Sequence, residues 1–418
     1  MILSRKRTRQ TKDYSLAKIL TVLFLPYVAL SLGQNGFLGL LPFIREEFVL
    51  TRAQVGYYST CFFMSAAVLS IFTGSIVDNL GPKKSMLLGI GCLGCILILH
   101  GLSPSYDLLL LMAFVAGLGF SIITPSVTKA VMIATPQEKR AFSMGVTQTG
   151  FGLGGIVGAS FLPFLGEYLG WRIAVQFAAV FILLTVPFVY KLYQEQDNIK
   201  NVIDTPEEPA GGKRTFKSNL LSLFANKPLF QICVLGIVFG ISEEAMITHF
   251  VVFLSEDLNM SRVAAGLGFG TLHLGGMIGL LGWGYFSDRL FRSDRRLSLF
   301  LIGLSSGLMY LFFGLFLNHS QVSQVFIFVL SFLFGFLVLG WSGVYLASVG
   351  EVAGGKQAGI ATGLALLFVR TGMLVAPPIF GLIADASGCY KNSWLIFGFV
   401  IIGISCLFLR RKVNAGKS

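Results

Sequence analysis

The chain has 418 residues, of which 54% are hydrophobic and 12% charged, with a formal net charge of +12. One or two soluble cores cannot hold that much apolar side chain, so a water-soluble fold is excluded and an integral membrane protein is implied. Nucleic-acid binding is excluded by where the charge sits. Both tails and alternate loops carry 25 of the 32 basic residues, the opposite loops carry five (Arg45, Arg52, Arg172, Arg262, Lys391), and Lys129 and Arg370 lie inside apolar runs. That asymmetry is the orientation signal of a multi-pass protein of the cell membrane with both termini in the cytoplasm.

Apolar runs of about 20 residues, the length a bilayer core demands, recur along nearly the whole chain. They predict an all-α protein of twelve transmembrane helices. In the first half the expected limits are 17–42, 54–77, 84–103, 106–131, 141–166 and 171–193; in the second they are 229–255, 262–285, 297–317, 322–349, 357–383 and 392–409. Arg5, Lys6, Arg7 and Arg9 precede the first run, which is too long for a cleavable signal core and has no small-residue cleavage site, so it is expected to be retained. The organisation expected is a six-helix bundle over 1–193, a cytoplasmic linker over 194–228 and a second bundle over 229–418. Within the linker, Phe216, Leu220, Leu223 and Phe224 beside Lys213, Arg214 and Lys217 suit a short helix on the membrane surface, with a plain flexible linker as the alternative.

Some patterns have plainer explanations. Gly150-Phe-Gly152-Leu-Gly154-Gly155 fits a dinucleotide fingerprint, but it lies inside an apolar run with no strand before it, and glycines at such spacing let helices pack closely. Cys92-Leu-Gly-Cys95 has redox spacing but sits within span 3, and the six cysteines fall mostly in apolar helices, so no disulfide framework is expected. Asn259-Met-Ser261 and Asn318-His-Ser320 match the glycosylation acceptor pattern without deciding anything. The chain has no HExxH, GxSxG or phosphate-loop pattern and no appended soluble domain, which argues against an enzyme or sensor, and no pattern calls for a cofactor or metal.

Gly74-x3-Asp78-x2-Gly81-x-Lys83-Lys84 after span 2 returns 210 positions later as Gly284-x3-Asp288-Arg289-x2-Arg292 after span 8. A duplicated half in a membrane chain is a sequence sign of an alternating-access carrier. The repeat resembles the signature of the major facilitator superfamily, with Asn79, Pro82 and Phe291 as departures from it. Thr124-Pro125-Ser126, Glu138-Lys139-Arg140 and Gly170-Trp171-Arg172 support the resemblance, which covers essentially the whole chain. It implies two pseudo-symmetric six-helix bundles around a central cavity, and it implies gate roles for Asp78, Arg140, Asp288 and Arg289. The stretch from Pro125 to Gly150 is similar to the branch that moves anions with a cation, although span 2 lacks the arginine of the nitrate carriers.

Four ionisable residues fall near the middle of their spans, Glu243 and Glu244 in span 7, His273 in span 8 and Arg370 in span 11. At about 1.5 Å rise per residue they share one depth. Each acidic or basic group there costs about 2.5–3.5 kcal/mol to insert, so such residues face a cavity or a partner. Arg370 offers a fork of donors suited to a carboxylate or phosphate; a structural Glu–Arg pair between spans 7 and 11 is the alternative. In the first half the midspan polar groups are neutral, Gln34, Asn35 and Gln148, while Tyr345 and Trp341 are placed on the cavity wall. These readings predict a secondary active transporter of a small organic anion, coupled to a proton or other cation, with uptake favoured and a monomer sufficient. The alternative is a proton-coupled exporter of cationic or amphipathic compounds.

Overall fold

Prolines and capping residues set the helix starts in a computed structural model that describes residues 16–136, 139–193, 226–292, 294–316, 322–353 and 358–410. The expected linker with its surface helix (194–225), Glu138, and the Asn318 acceptor site lie outside these residues. Helix α1 (Leu16–Gly39) breaks at Leu40 into a short α2 (Leu41–Phe48), whose Pro42 occupies a first-turn position that needs no N–H. The α3 helix (Arg52–Leu80) opens with a capping box: Gln54 N donates to Thr51 Oγ1 and Thr51 N to Gln54 Oε1. Gly81, at φ 80°, turns the chain into α4 (Pro82–His100). Then follow α5 (Tyr106–Ala134), α6 (Arg140–Leu169) and α7 (Trp171–Leu192).

The second half starts at α8 (Lys227–Glu256), capped by Asn226. Ser261 of the first acceptor pattern caps α9 (Arg262–Tyr285) by accepting from Ala264 N. A π-helical turn, Phe286–Leu290, carries the second copy of the repeat. The remaining helices are α10 (Arg295–Phe316), α11 (Gln324–Val338), α12 (Ser342–Ala353), α13 (Ala358–Ser387) and α14 (Lys391–Arg410). Eleven described segments are long and apolar enough to cross a bilayer, α11 and α12 together making one of them. The twelfth crossing is α3, 29 residues long. Helix limits fall within a few residues of those expected. The sequence did not show that span 1 continues into α2, nor that span 10 is broken between Val338 and Ser342.

Packing reveals the internal symmetry. In the first half α1 lies on α6, α3 on α5 and α4 on α7; in the second, α8 lies on α13, α9 on α11 and α10 on α14, the same pairing one half later. The two bundles touch through α3 against α13 and α6 against α9, which are also symmetry-related. The glycine series in α6 is packing: a Cβ on Gly150 would meet the backbone of Phe24, and one on Gly158 that of Gly36, both in α1.

Candidate functional site

Among the described residues the hydrogen bonds and ion pairs between the two halves gather at the end opposite the repeated motif and at mid-depth. Asp385 at the end of α13 accepts the N–H groups of Arg52 (2.8 Å) and Ala53 (2.9 Å), two donors at the start of α3 that have no partner within their own helix. A Cβ on Gly56 would lie 2.5 Å from the carbonyl carbon of Pro377, so the α3–α13 crossing requires glycine there. Ion pairs surround this crossing: Arg45 with Glu256, Arg262 with Glu46, and Arg52 at 3.5 Å from both Glu256 and Asp257. A recess of about 720 Å³ lies over them, lined by Arg45, Glu46, Glu256 and Arg262 among others. Three of the five basic residues that run against the charge asymmetry thus hold the halves together. Basic residues on the otherwise charge-poor side are the sequence signal for this contact.

Beneath the closed end lies a cavity of about 300 Å³ lined from both halves. The first half contributes Tyr27, Gln34, Thr124, Gln148 and Thr149 with the rings of Phe63, Phe120 and Phe151; the second contributes Glu243, Glu244, His273, Trp341 and Arg370 with aliphatic side chains. The midspan charged residues are therefore brought together on one cavity. The break between α11 and α12 places Trp341, whose Nε1–H donates to Glu243 Oε2 at 2.8 Å. Such interruptions are where carriers expose polar groups at mid-depth. The carboxylate of Glu244 accepts from Thr248 Oγ1 at 3.1 Å.

Arg370 extends across the seam, and its Nη1 donates to the carbonyl of Ala66 in α3 at 3.1 Å. Among the described residues that carbonyl is its one hydrogen-bond acceptor, which leaves most of its five donors unspent. Among the described residues no carboxylate lies within ion-pair distance of Arg370, so the expected alternative of a neutralised Glu–Arg pair is not what the structure builds. His273 packs on Phe269, ring centroids 4.6 Å apart, and against Gly155 of the opposite half, and among the described residues its buried Nε2 has no hydrogen-bond partner. Gln34 lines the cavity with an equally unpartnered Oε1.

Two predicted site residues lie elsewhere. Asn35 is fully buried in the first bundle, where its Nδ2 donates to Ser31 Oγ at 2.9 Å; it sits on the face of α1 next to the one Gln34 presents to the cavity. Tyr345 fills the space above Gly236 and donates to the carbonyl of Ala365 at 3.3 Å, a buried contact within the second bundle. Conversely Tyr27, Thr124 and Thr149 line the cavity without having been expected there. Single hydroxyls in apolar helices carry no periodic signal that separates wall from core.

At the motif-bearing end the expected gate residues are held within their own halves. Asp78 pairs with Lys129 of α5 at 2.6 Å, and Asp288 with Arg295 of α10 at 2.5 Å, which also reaches Glu351 at 3.0 Å. Lys129, Arg295 and Glu351 were not among the expected gate residues. Arg140 donates to the carbonyl of Thr135, and Arg289 is exposed. The structure does not bring Arg140 or Arg289 to either aspartate.

The sequence profile of the Major Facilitator Superfamily matches residues 23–368 and 233–418. The chain is 25% identical over 378 residues to a probable sulfoacetate transporter of Cupriavidus necator, covering 88% of this chain and 86% of that one. It is 26% identical over 383 residues to multidrug resistance protein 1 of Bacillus subtilis, covering 90% and 91%. In fold it is similar to the crystal structure of a bacterial homolog to the human lysosomal transporter Spinster in an inward-facing and unoccupied conformation. There the TM-score is 0.77 at 16% identity, over 97% of this chain and 100% of that chain.

Proposed function

The chain belongs to the major facilitator superfamily, a family of membrane transporters rather than enzymes, and on that premise we propose that it carries a small organic anion together with protons by alternating access. The observation that carries the reading is Arg370 in the cavity wall with one backbone carbonyl as its hydrogen-bond partner. A buried guanidinium with donors to spare is matched by a carboxylate, sulfonate or phosphate. The probable sulfoacetate transporter among the relatives agrees with an anionic cargo.

Proton coupling follows from charge. With Glu243 and Glu244 both ionised, the cavity holds two negative charges against one positive, and a second anion would be repelled by roughly 4 kcal/mol per close pair at an effective dielectric of about 20. Protonating one glutamate removes that net charge, so anion and proton enter together. The basic-residue asymmetry supports a cytoplasmic position for the motif-bearing end of this multi-pass membrane protein, and with it an inward-facing state; one twelve-helix chain supplies both bundles, so a monomer suffices.

Counterflow in proteoliposomes against a panel of labelled organic acids tests the reading. The recognised acid is expected to exchange, and Arg370→Ala to abolish the exchange while Arg370→Lys keeps a fraction of it. Full activity of Arg370→Ala would remove the anion role. Two carboxylates on the cavity and the multidrug relative favour a second reading, export of lipophilic cations. Under that reading cationic dyes, and not acids, show counterflow, and Glu244→Gln abolishes it.

A further inference from the structure

Glu243 and Glu244 are neighbours in sequence, yet their hydrogen bonds lead into different halves of the molecule. Glu243 is held by Trp341 of its own bundle. Glu244 accepts from Thr248 Oγ1 at 3.1 Å, and Thr248 Oγ1 lies 2.7 Å from Ser59 Oγ of α3 in the opposite bundle. All three residues of this chain are buried, with Ser59 2%, Thr248 0% and Glu244 1% exposed.

A hydroxyl has a single proton, and that makes the chain directional. An ionised Glu244 can only accept, so Thr248 donates to it and Ser59 gives its proton to Thr248 or to the carboxylate itself. Once Glu244 gains a proton from hydronium in the cavity, leaving water, its new O–H turns to Thr248 as a hydrogen-bond donor, and Thr248 turns its own O–H to Ser59. Ser59 then points its proton elsewhere, for instance at a carbonyl one turn back in its helix. No covalent bond changes beyond the O–H gained at Glu244 and later lost to water on the other side. The adjacent inter-half bond has no such dependence. Thr60 donates to the carbonyl of Leu374 at 2.8 Å, which is free because Pro378 has no N–H to give it.

We propose that Glu244, acting through the positioning residues Thr248 and Ser59, is the group by which proton binding is felt at the contact between the halves, while Glu243 shapes the substrate wall. This rests on the reading of a proton-coupled carrier. The other titratable groups facing the site are Glu243 on the same helix, Arg370 from α13, His273 from α9 and Tyr27 from α1. The α10 residue Tyr310 spends its hydroxyl proton on the carbonyl of Ser242, and α3 presents the hydroxyl of Ser59.

The experiment uses the full chain in liposomes with an acid that shows counterflow, measuring counterflow and pH-gradient-driven accumulation separately. In Glu244→Gln the ratio of pH-gradient-driven accumulation to that variant's own counterflow is expected to fall about tenfold or more. In Glu243→Gln that ratio is expected to stay as in the unmodified protein while the affinity for the acid changes. Ser59→Ala and Thr248→Val are expected to shift the pH profile of net uptake by about one unit, Ser59→Thr to restore it, and Thr60→Val to slow transport without moving the profile. An unchanged ratio in Glu244→Gln, or an unshifted profile in a well-folded Ser59→Ala, overturns the proposal. Absence of counterflow for every acid in the unmodified protein would instead overturn the carrier reading beneath it.

Discussion

Removing the carboxylate of Asp385 should loosen the closed end and shift the resting conformation. In the structure its two oxygens accept from Arg52 N at 2.8 Å and Ala53 N at 2.9 Å, so an aspartate of the second half caps a helix of the first. A side-chain cap of this kind contributes about 0.5–2 kcal/mol, which is a factor of about 2–30 in an equilibrium. Water can reach the start of α3 once the halves part and replaces some of what is lost, so Asp385→Ala is expected to raise the population open at this end about two- to tenfold. The assay is pulsed electron-spin distance measurement in nanodiscs between labels at Val49 and Gln324, both exposed at the closed end and on opposite halves, in a background without the six native cysteines. The longer-distance population should grow in Asp385→Ala and grow less in Asp385→Asn, which keeps one acceptor. Identical distance distributions in all three proteins would refute the claim that this cap helps to close the molecule.

Gly56→Ala should act the same way and more strongly, because its Cβ meets backbone at Pro377 and no side chain can swing aside; overpacking of about 1–3 kcal/mol is expected, read as the same distance shift. At the other end, Arg295→Gln removes the partner of both Asp288 and Glu351 and leaves the Asp78–Lys129 pair untouched; cysteine-accessibility rates at the motif-bearing end should change in the second half only, and equal changes in both halves would contradict the pairing seen. Glu47, outside the spans, is exposed; the slight desolvation it has acts to raise its pKa, but Arg172 at 2.5 Å and Trp171 outweigh this and hold it below the ordinary 4.5. The sign follows: the stabilisation is fully present above 4.5 and is lost as the pH falls through the lowered folded value. The melting-temperature difference between the parent and Glu47→Gln should therefore be constant above that pH and shrink below it, and a difference that grows on acidification would exclude the pairing.

Twelve crossings, their limits, the duplicated halves and the shared depth of Glu243, Glu244, His273 and Arg370 were all legible in the residues, because the bilayer imposes a fixed apolar length and a fixed cost on each buried charge. Both constraints act along one helix at a time. What a side chain at a given depth faces depends on which neighbour its helix packs against and on rotation about the axis, and no spacing within one helix states that. Gln34 lines the cavity while Asn35, one residue on, is enclosed within its bundle, and Tyr345 is buried while Trp341 is turned to Glu243 by a helix break that apolar composition concealed. The contacts between residues hundreds of positions apart, Asp385 on the start of α3 and Ser59 on Thr248, were settled by the docking of the two bundles alone. Sequence thus determined what is embedded and how deep, since water and lipid act on each segment separately; tertiary structure decided who meets whom across the seam, since that is a property of two surfaces and of the conformation in which they touch.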